Sequence, residues 1–325
     1  MQMLRTLAVV VAGAVLALLP DVATAQGATR YPSKVVRIVV PFPAGGGTDL
    51  MARNVAQKLN EMWKQPVVVE NRAGAGGMIG ADVVAKSPAD GYTYLVAATS
   101  HSINATLVPQ ASYDLQKDLR PVAILGLIPL VAIVPTASPF LSLKDLVLAS
   151  HKKTLNAGSG GNGTIHHLAL ELFKKVTGAR IQHVAYRGDS PAMTDLLGGQ
   201  IDLIFMPAAA CLPLVKSGKL RALAVTTEHR FPLLPDVPTT LEAGFPGVQV
   251  TGWNGLLVAS GTSREIVARI HADVTNLMSA PDMKSRIVEQ GFLPIAMGVG
   301  DTESFVRADI ERWRNVIRDA DIKAD

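Results

Sequence analysis

Two glycine-rich loops constrain this chain more than any other feature. Each follows an apolar, β-like run and leads straight into an amphipathic helical pattern. The first lies within VVRIVVPFPAGGGTDLMARNVAQKL, at residues 44–47; the second lies within TLNAGSGGNGTIHHLALELFKK, at 158–163. A strand–glycine loop–helix junction gathers unpaired backbone N–H groups and the positive end of a helix dipole at one point, which favours an anion. Two such junctions in a chain long enough for two lobes predict an anionic ligand held between them.

The pattern between the loops is an alternation of strands and helices. Residues 35–40, 66–70 and 92–98 read as strands, the last ending at Thr99-Ser100-His101. Residues 50–59 and 81–85 carry helical spacing. After a break at 126–129 the alternation restarts: strands at 130–134, 154–157, 182–185, 201–205 and 220–225, and helices at 143–149 and 164–176. Ser190 is placed as an N-cap, with Pro191 at the first helical position. Residues 256–259 read as a strand returning to the first domain. Thr262–Glu265 reads as a capping box, and a last helix spans about 303–317. The expected fold is α/β: two lobes, each a mostly parallel sheet flanked by helices. Residues 26–128 and 252–325 form a discontinuous first domain and 129–251 an inserted second one. Two crossover segments permit hinge closure around a ligand.

The N-terminus sets the compartment. A short basic start with Arg5 precedes an apolar run at 7–19 and the small-residue pattern Ala23-Thr24-Ala25, which predicts a signal peptide over residues 1–25 and a periplasmic product. The apolar run is too short to span a hydrocarbon core that needs about 20 residues. Removing the peptide takes away Arg5 and Asp21, so the net charge stays at +4. Basic residues are scattered rather than clustered with aromatics, so nucleic acid is not an expected partner. Cys211 is the only cysteine, which excludes an intrachain disulfide and reads as a small buried apolar residue.

The first loop, residues 42–49, lacks both G-x-G-x-x-G spacing and a Gly-Lys-Ser/Thr ending, so neither a dinucleotide nor another nucleotide cofactor is expected. Asp49 reads chiefly as a helix-capping carboxylate. The second loop contains Ala157-Gly158-Ser159-Gly160-Gly161, which imitates the nucleophile elbow of α/β-hydrolases. A serine esterase is the rival reading, with Asp195 or Asp202 and His229 or His271 as partners for Ser159. Against it, flexible loop intervenes between the serine and the helix. A Ser159 hydroxyl donating to a ligand carboxylate is the favoured alternative. His166 and His167 are adjacent and point roughly 100° apart on a helix, so they do not share a metal face; no metal is expected. His167 reads equally as a ligand contact or a cap. His101 stands just past a strand end, where open α/β sheets bind ligands. Tyr186 reads as facing the cleft or packing.

Taken together, the phrases VVPFPAGGGTDLMAR, VVVENRAGAGGMIGADVVAKSPADGYT, NAGSGGNGTIHHLALELF, AYRGDSPAMTDLLGGQID, GKLRALAVTTEHR, LPDVPTTLEAG and WNGLLVASGTS resemble the Bug family, the extracytoplasmic solute receptors of tripartite tricarboxylate transporters. The resemblance implies a Venus-flytrap periplasmic binding protein of the type II kind, without catalysis or cofactor. It implies a di- or tricarboxylate or an aromatic carboxylate as ligand, membrane transporter subunits as partners, and a monomer. A receptor that signals to a membrane sensor is an alternative.

Carried over residue by residue, the resemblance puts the family's first loop on Phe42, Ala44, Gly45, Thr48 and Asp49, and its strand-end segment on Thr99, Ser100 and His101. The second-domain loop falls on Ser159, Gly163, Thr164 and His167, and the closing turn on Tyr186 and Gly188. Many members carry Asp where this chain has Met206, which argues against a ligand with an ammonium group there. The family's common NP after the strand-end serine is here Asn104-Ala105.

Overall fold

The structure, a computed structural model, describes residues 31–323; the expected signal peptide lies outside the described residues. One strand organises everything else. β4 (Leu119–Pro135) runs through two sheets. Its first part, to Pro129, pairs antiparallel with β9 (Thr251–Ala259). From Leu130 it pairs antiparallel with β7 (Leu203–Pro207) on one side and β8 (Leu220–Val225) on the other.

The first sheet therefore reads β2-β1-β3-β9-β4, with β1 (Val36–Val40), β2 (Val67–Asn71) and β3 (Thr93–Ala98). The second reads β8-β4-β7-β5-β6, with β5 (Leu155–Ser159) and β6 (Ile181–Ala185). The fold is mixed α/β and two-lobed. β1 is parallel to β2 and β3, and β5 is parallel to β6 and β7. Every antiparallel pairing involves β4 or β9, the strands that join the lobes.

Breaks in the apolar pattern hid most of β4 from the sequence reading. They prove to be irregularities inside a continuous strand. The register shifts between Pro121 and Ala123 and again between Ile124 and Gly126. A bulge accommodates a residue that cannot join the ladder, and it bends the strand. Pro129 stands at the last pair with β9, immediately before β4 exchanges partners.

The helices cover these sheets. α1 (Gly47–Trp63) buries Met51, Val55 and Leu59 at helical spacing. α2 is Met78–Ala85, preceded by a 3-10 turn at Ala75–Gly77. α3 (Thr99–Leu107) begins at the residue expected to end a strand. α4 (Leu143–Lys152) and α5 (Ile165–Thr177) flank the second sheet, capped by Ser142 and Thr164. α6 is Asp189–Leu197 with Gly188 as N-cap, so Ser190 and Pro191 lie inside the helix rather than at its cap. α7 (Ala208–Lys216) carries Cys211, which is buried. α8 (Arg264–Ser279) is capped by Ser263 through the Ile266 N–H, so the cap lies one residue later than Thr262. α9 (Pro281–Glu289) and α10 (Val299–Asp319) complete the chain.

α10 belongs to both cores. Val306 and Ile310 pack in the cluster with Val39, Leu95 and Trp253. Trp313 and Ile317 pack with Leu168, Phe173 and Phe205 of the second lobe. Ile103 of α3 joins that same second cluster. One side of the molecule is thus tied by β4, β9 and α10.

On another side the lobes meet at Gly291. Its φ is +89°, and an added Cβ would stand 2.7 Å from the backbone N and Cα of Ala209 in α7. Gly291→Ala should therefore lower the stability by at least about 1–2 kcal/mol from the left-handed backbone alone. Denaturant unfolding of the purified variant measures this, and an unchanged midpoint would contradict the close approach.

Candidate functional site

The first glycine loop is a rigid turn built around one carboxylate. Gly45 has φ +84°, a conformation open to glycine at little cost. Asp49, at the third position of α1, accepts the Gly45 N–H at 2.9 Å and Arg53 Nε at 2.8 Å. Its other oxygen accepts Asn71 Nδ2 at 2.8 Å, and the same amide group donates to the Phe42 carbonyl. Burial pushes the Asp49 carboxyl up, but the bonds from Arg53, Gly45 and Asn71 outweigh it and hold it below its ordinary 3.8. The N-cap itself is Gly46, without a side-chain bond. Asp49 thus staples the turn to the end of β2. The amides at the start of α1 that point out of the turn have no acceptor within the helix.

Beneath this turn sits the start of α3. Thr99 Oγ1 accepts the Trp253 N–H at 2.8 Å, and Asn254 Nδ2 donates to Thr48 Oγ1 at 3.1 Å. Both hydroxyls are therefore held by β9. His101 is wholly buried, with Nδ1 3.1 Å from the Ala98 nitrogen and its ring edge-on to Phe42. Ser100 is half-buried in the same helical turn, and Ala44 is exposed on the loop.

The second loop differs from expectation. Its amides were expected to face a ligand, yet most have acceptors within their own lobe. Gly160 N–H points to His166 Nδ1 at 3.4 Å, and Gly163 N–H donates to His167 Nδ1 at 3.2 Å. Gly161 N–H donates to Ser159 Oγ, and the Thr164 N–H to the Gly161 carbonyl. The Gly188 N–H donates to the Gly160 carbonyl. Ser159 is fully buried; its hydroxyl lies 3.0 Å from the Gly161 carbonyl and 2.6 Å from His183 Nε2. His183 stacks on His167 with centroids 3.8 Å apart. The Tyr186 hydroxyl donates to Asp195 at 2.7 Å, and burial together with that carboxylate pushes it up to about 12. Ser159 has His183 beside it, a partner the elbow reading did not consider. Buried and already bonded, it is not the exposed nucleophile that an elbow presents.

Between the lobes lies a cavity of about 850 Å³, within the range of small-molecule sites. The first lobe supplies Gly45–Gly47, Thr48 and Leu50 from the start of α1, with Ile128, Glu289, Gln290 and Phe292 beside them. The second lobe supplies Asp189 and Ser190 from the start of α6. It also supplies Pro207, Ala209, Ala210, Leu212, Pro213 and Lys216 along α7.

Of the residues singled out from the sequence, Gly45 and Thr48 line this cavity. Gly188 immediately precedes the lining pair Asp189–Ser190. Phe42, Asp49, Thr99 and His101 support the wall from behind. Ser159, Gly163, Thr164 and His167 form the framework of the second loop. At Gly163, whose φ is +68°, an added Cβ would meet the end of the Leu107 side chain of α3. Sequence reasoning missed α7 altogether, because Pro213 inside it obscures a helix that is apolar nearly throughout.

The whole chain also has close relatives. Residues 51–322 match the model of the tripartite tricarboxylate transporter family receptor. The chain belongs to this receptor family. It is 36% identical to Protein BugT of Bordetella pertussis, with 99% of each chain covered. Among solved structures, it matches an R. palustris protein with adipate at 35% identity and TM-score 0.82, covering 90% of this chain and 99% of that one. It matches MatC from Rhodopseudomonas palustris with bound malate at 31% identity and TM-score 0.77, covering 88% and 100%. The Bug-type resemblance seen in the sequence holds. No helix among the described residues is long and apolar enough to cross a membrane.

The buried histidines make a testable electrostatic statement about this family member. Burial pushes His101 and His166 below their ordinary 6.5, with Asp189 partly opposing the effect at His166. The unfolded chain therefore takes up protons near pH 6.5 that the folded one refuses. Stability should be complete above that pH and fall as the pH drops below it, by up to about 1.4 kcal/mol per unit for each imidazole. Thermal unfolding between pH 7.5 and 5 tests this. His101→Gln should flatten the slope, and an identical slope in the variant would contradict the assignment.

Proposed function

We propose that this protein is a periplasmic solute receptor that captures an organic carboxylate between its lobes and delivers it to membrane subunits of a tripartite tricarboxylate-type transporter. The observation that carries the reading is the interlobe cavity, into which the first turns of α1, α6 and α7 are gathered from both lobes. Each helix start offers backbone donors and about half a positive charge. Charge-assisted hydrogen bonds from such groups contribute about 1.5–3 kcal/mol each before ordering costs.

In this reading Gly45, Thr48 and the neighbouring amides of α1 hold the carboxylate from one side, and the Gly188–Ser190 turn closes from the other. Ser159, Gly163, Thr164, His167 and Tyr186 set the shape of that turn. Phe42, Ala44, Asp49, Thr99, Ser100 and His101 form and support the opposite wall. The hinge lies where β4 changes sheets and where the chain re-enters β9, close to the boundaries 128/129 and 251/252. The ligands of the two R. palustris proteins support a carboxylate here by kinship. The receptor acts as a monomer and performs no chemistry on its ligand.

Calorimetric titration of protein stripped of carried-over ligand, against mono-, di- and tricarboxylates, tests the proposal. At least one acid should bind, and silence across the panel would sink it. Ser159→Ala separates the receptor from an esterase. The hydroxyl fixes the loop rather than the ligand, so the variant should lose less than about tenfold in carboxylate affinity. Neither protein should turn over p-nitrophenyl acetate. Turnover present in the parent and lost in the variant would establish the enzyme instead.

A further inference from the structure

Resting on the carboxylate-receptor reading, the charges around the interlobe cavity narrow the ligand further. Lys216 is the cationic side chain in the lining; Asp189 and Glu289 are acids facing the same space. Three helix starts contribute about half a positive charge each. The two acids offset Lys216 and two of those helix ends, leaving roughly half a positive charge to meet a ligand. One carboxylate already exceeds that balance by about half a charge, and each further one adds a full unit of uncompensated negative charge.

The rest of the wall is chemically plain. Leu50, Ile128, Leu212, Pro213 and Phe292 contribute hydrocarbon from both lobes, and Leu50 is exposed in this structure. Ala209 and Ala210 add methyl groups at the start of α7. A second carboxylate laid against these apolar residues would lose hydration without gaining a donor from them, at a cost that grows steeply with burial. An alkyl or aryl body would gain by displacing water from the same surfaces.

We infer that the preferred ligand is a singly charged carboxylate with an apolar body, and that Asp189 and Glu289 select against polycarboxylates. The two acids act from opposite lobes. A further negative group on the ligand is therefore opposed on whichever side it settles.

Hexanoate and adipate make the controlled pair, because they share a chain length and differ only in the terminal group. Benzoate and citrate extend the comparison. Stripped protein is titrated with each by calorimetry at about 0.1 M ionic strength, where the Debye length is roughly 10 Å and charges within a cleft still interact. Hexanoate or benzoate should bind at least tenfold more tightly than adipate, and citrate should bind more weakly than adipate. In Asp189→Asn combined with Glu289→Gln, the hexanoate-to-adipate affinity ratio should fall at least threefold. Thermal unfolding confirms that the double variant is folded, and the single variants serve if it is not. Adipate or citrate binding as tightly as hexanoate and benzoate would overturn the inference while leaving the receptor reading intact. A ratio unmoved by removing the acids would remove their selective role. Binding by none of the four would overturn the inference, and failure across the wider carboxylate panel would take the receptor reading with it.

Discussion

A single strand that belongs to two sheets is the constraint on which this architecture depends. β4 donates its first part to one lobe and its last six residues, Leu130–Pro135, to the other. A strand at a sheet edge leaves a row of unpaired backbone groups, which is costly when buried. β4 is the edge of the first sheet up to Pro129, and past it gains β7 and β8 on its two sides where it leaves β9. The exchange fixes the relation of the lobes, because neither sheet is complete without this strand. It also explains why the antiparallel pairings cluster at the middle of the molecule and the parallel ones lie outside it. α10 reinforces the same side, with Trp313 and Ile317 in the second core and Val306 and Ile310 in the first. Motion between the lobes must bend this spine, and Ile128 of β4 lies in the lining of the cavity between them.

The two glycine loops look alike as sequence and serve different ends. In the first, Asp49 takes up one donor, from Gly45, and thereby fixes a turn whose following amides, at the helix start, have no acceptor within the helix. In the second, imidazoles and a serine take up the donors of Gly160, Gly161 and Gly163. Glycine spacing encodes where a backbone can turn; it does not encode where the N–H groups point. The difference comes from side chains remote in sequence, such as His183 on β6 for Ser159 and Asn254 on β9 for Thr48. No local pattern announces either pairing.

The same distinction governs what was legible elsewhere. Strands whose apolar runs are broken by a single arginine, Arg37 in β1 and Arg221 in β8, stand out because burial leaves a nearly continuous signal. α5 was visible because Thr164 caps a strongly amphipathic stretch. The long course of β4 was not, because Pro121, Gly126 and Pro129 resemble terminators when bulges are invisible. α3 reads from the sequence as a strand end, since Thr99-Ser100-His101 carries no apolar periodicity and Ala98 has no capping side chain. Gly45 and Thr48 of the candidate wall were found through their loop. Lys216, Glu289 and Phe292 could not be, because only the packing of α7 and of the segment after α9 against the first loop brings them there.

In the proposed receptor, the wall that sequence could not assemble is also the wall that would decide selectivity. A carboxylate held on backbone amides is recognised by a group every member of its class possesses, so such contacts raise affinity without discriminating. Discrimination requires side chains that favour one remainder of the molecule and oppose another. In the inferred charge pattern, hydrocarbon from Leu212, Pro213 and Phe292 would supply the first, and Asp189 and Glu289 the second. Because the two acids stand on different lobes, their repulsion of a surplus charge grows as the lobes approach. An ill-matched ligand would then be penalised most in the closed form. In the proposed receptor the charge pattern would therefore bear on closure as well as on binding, and closure is the step that a partner subunit would read.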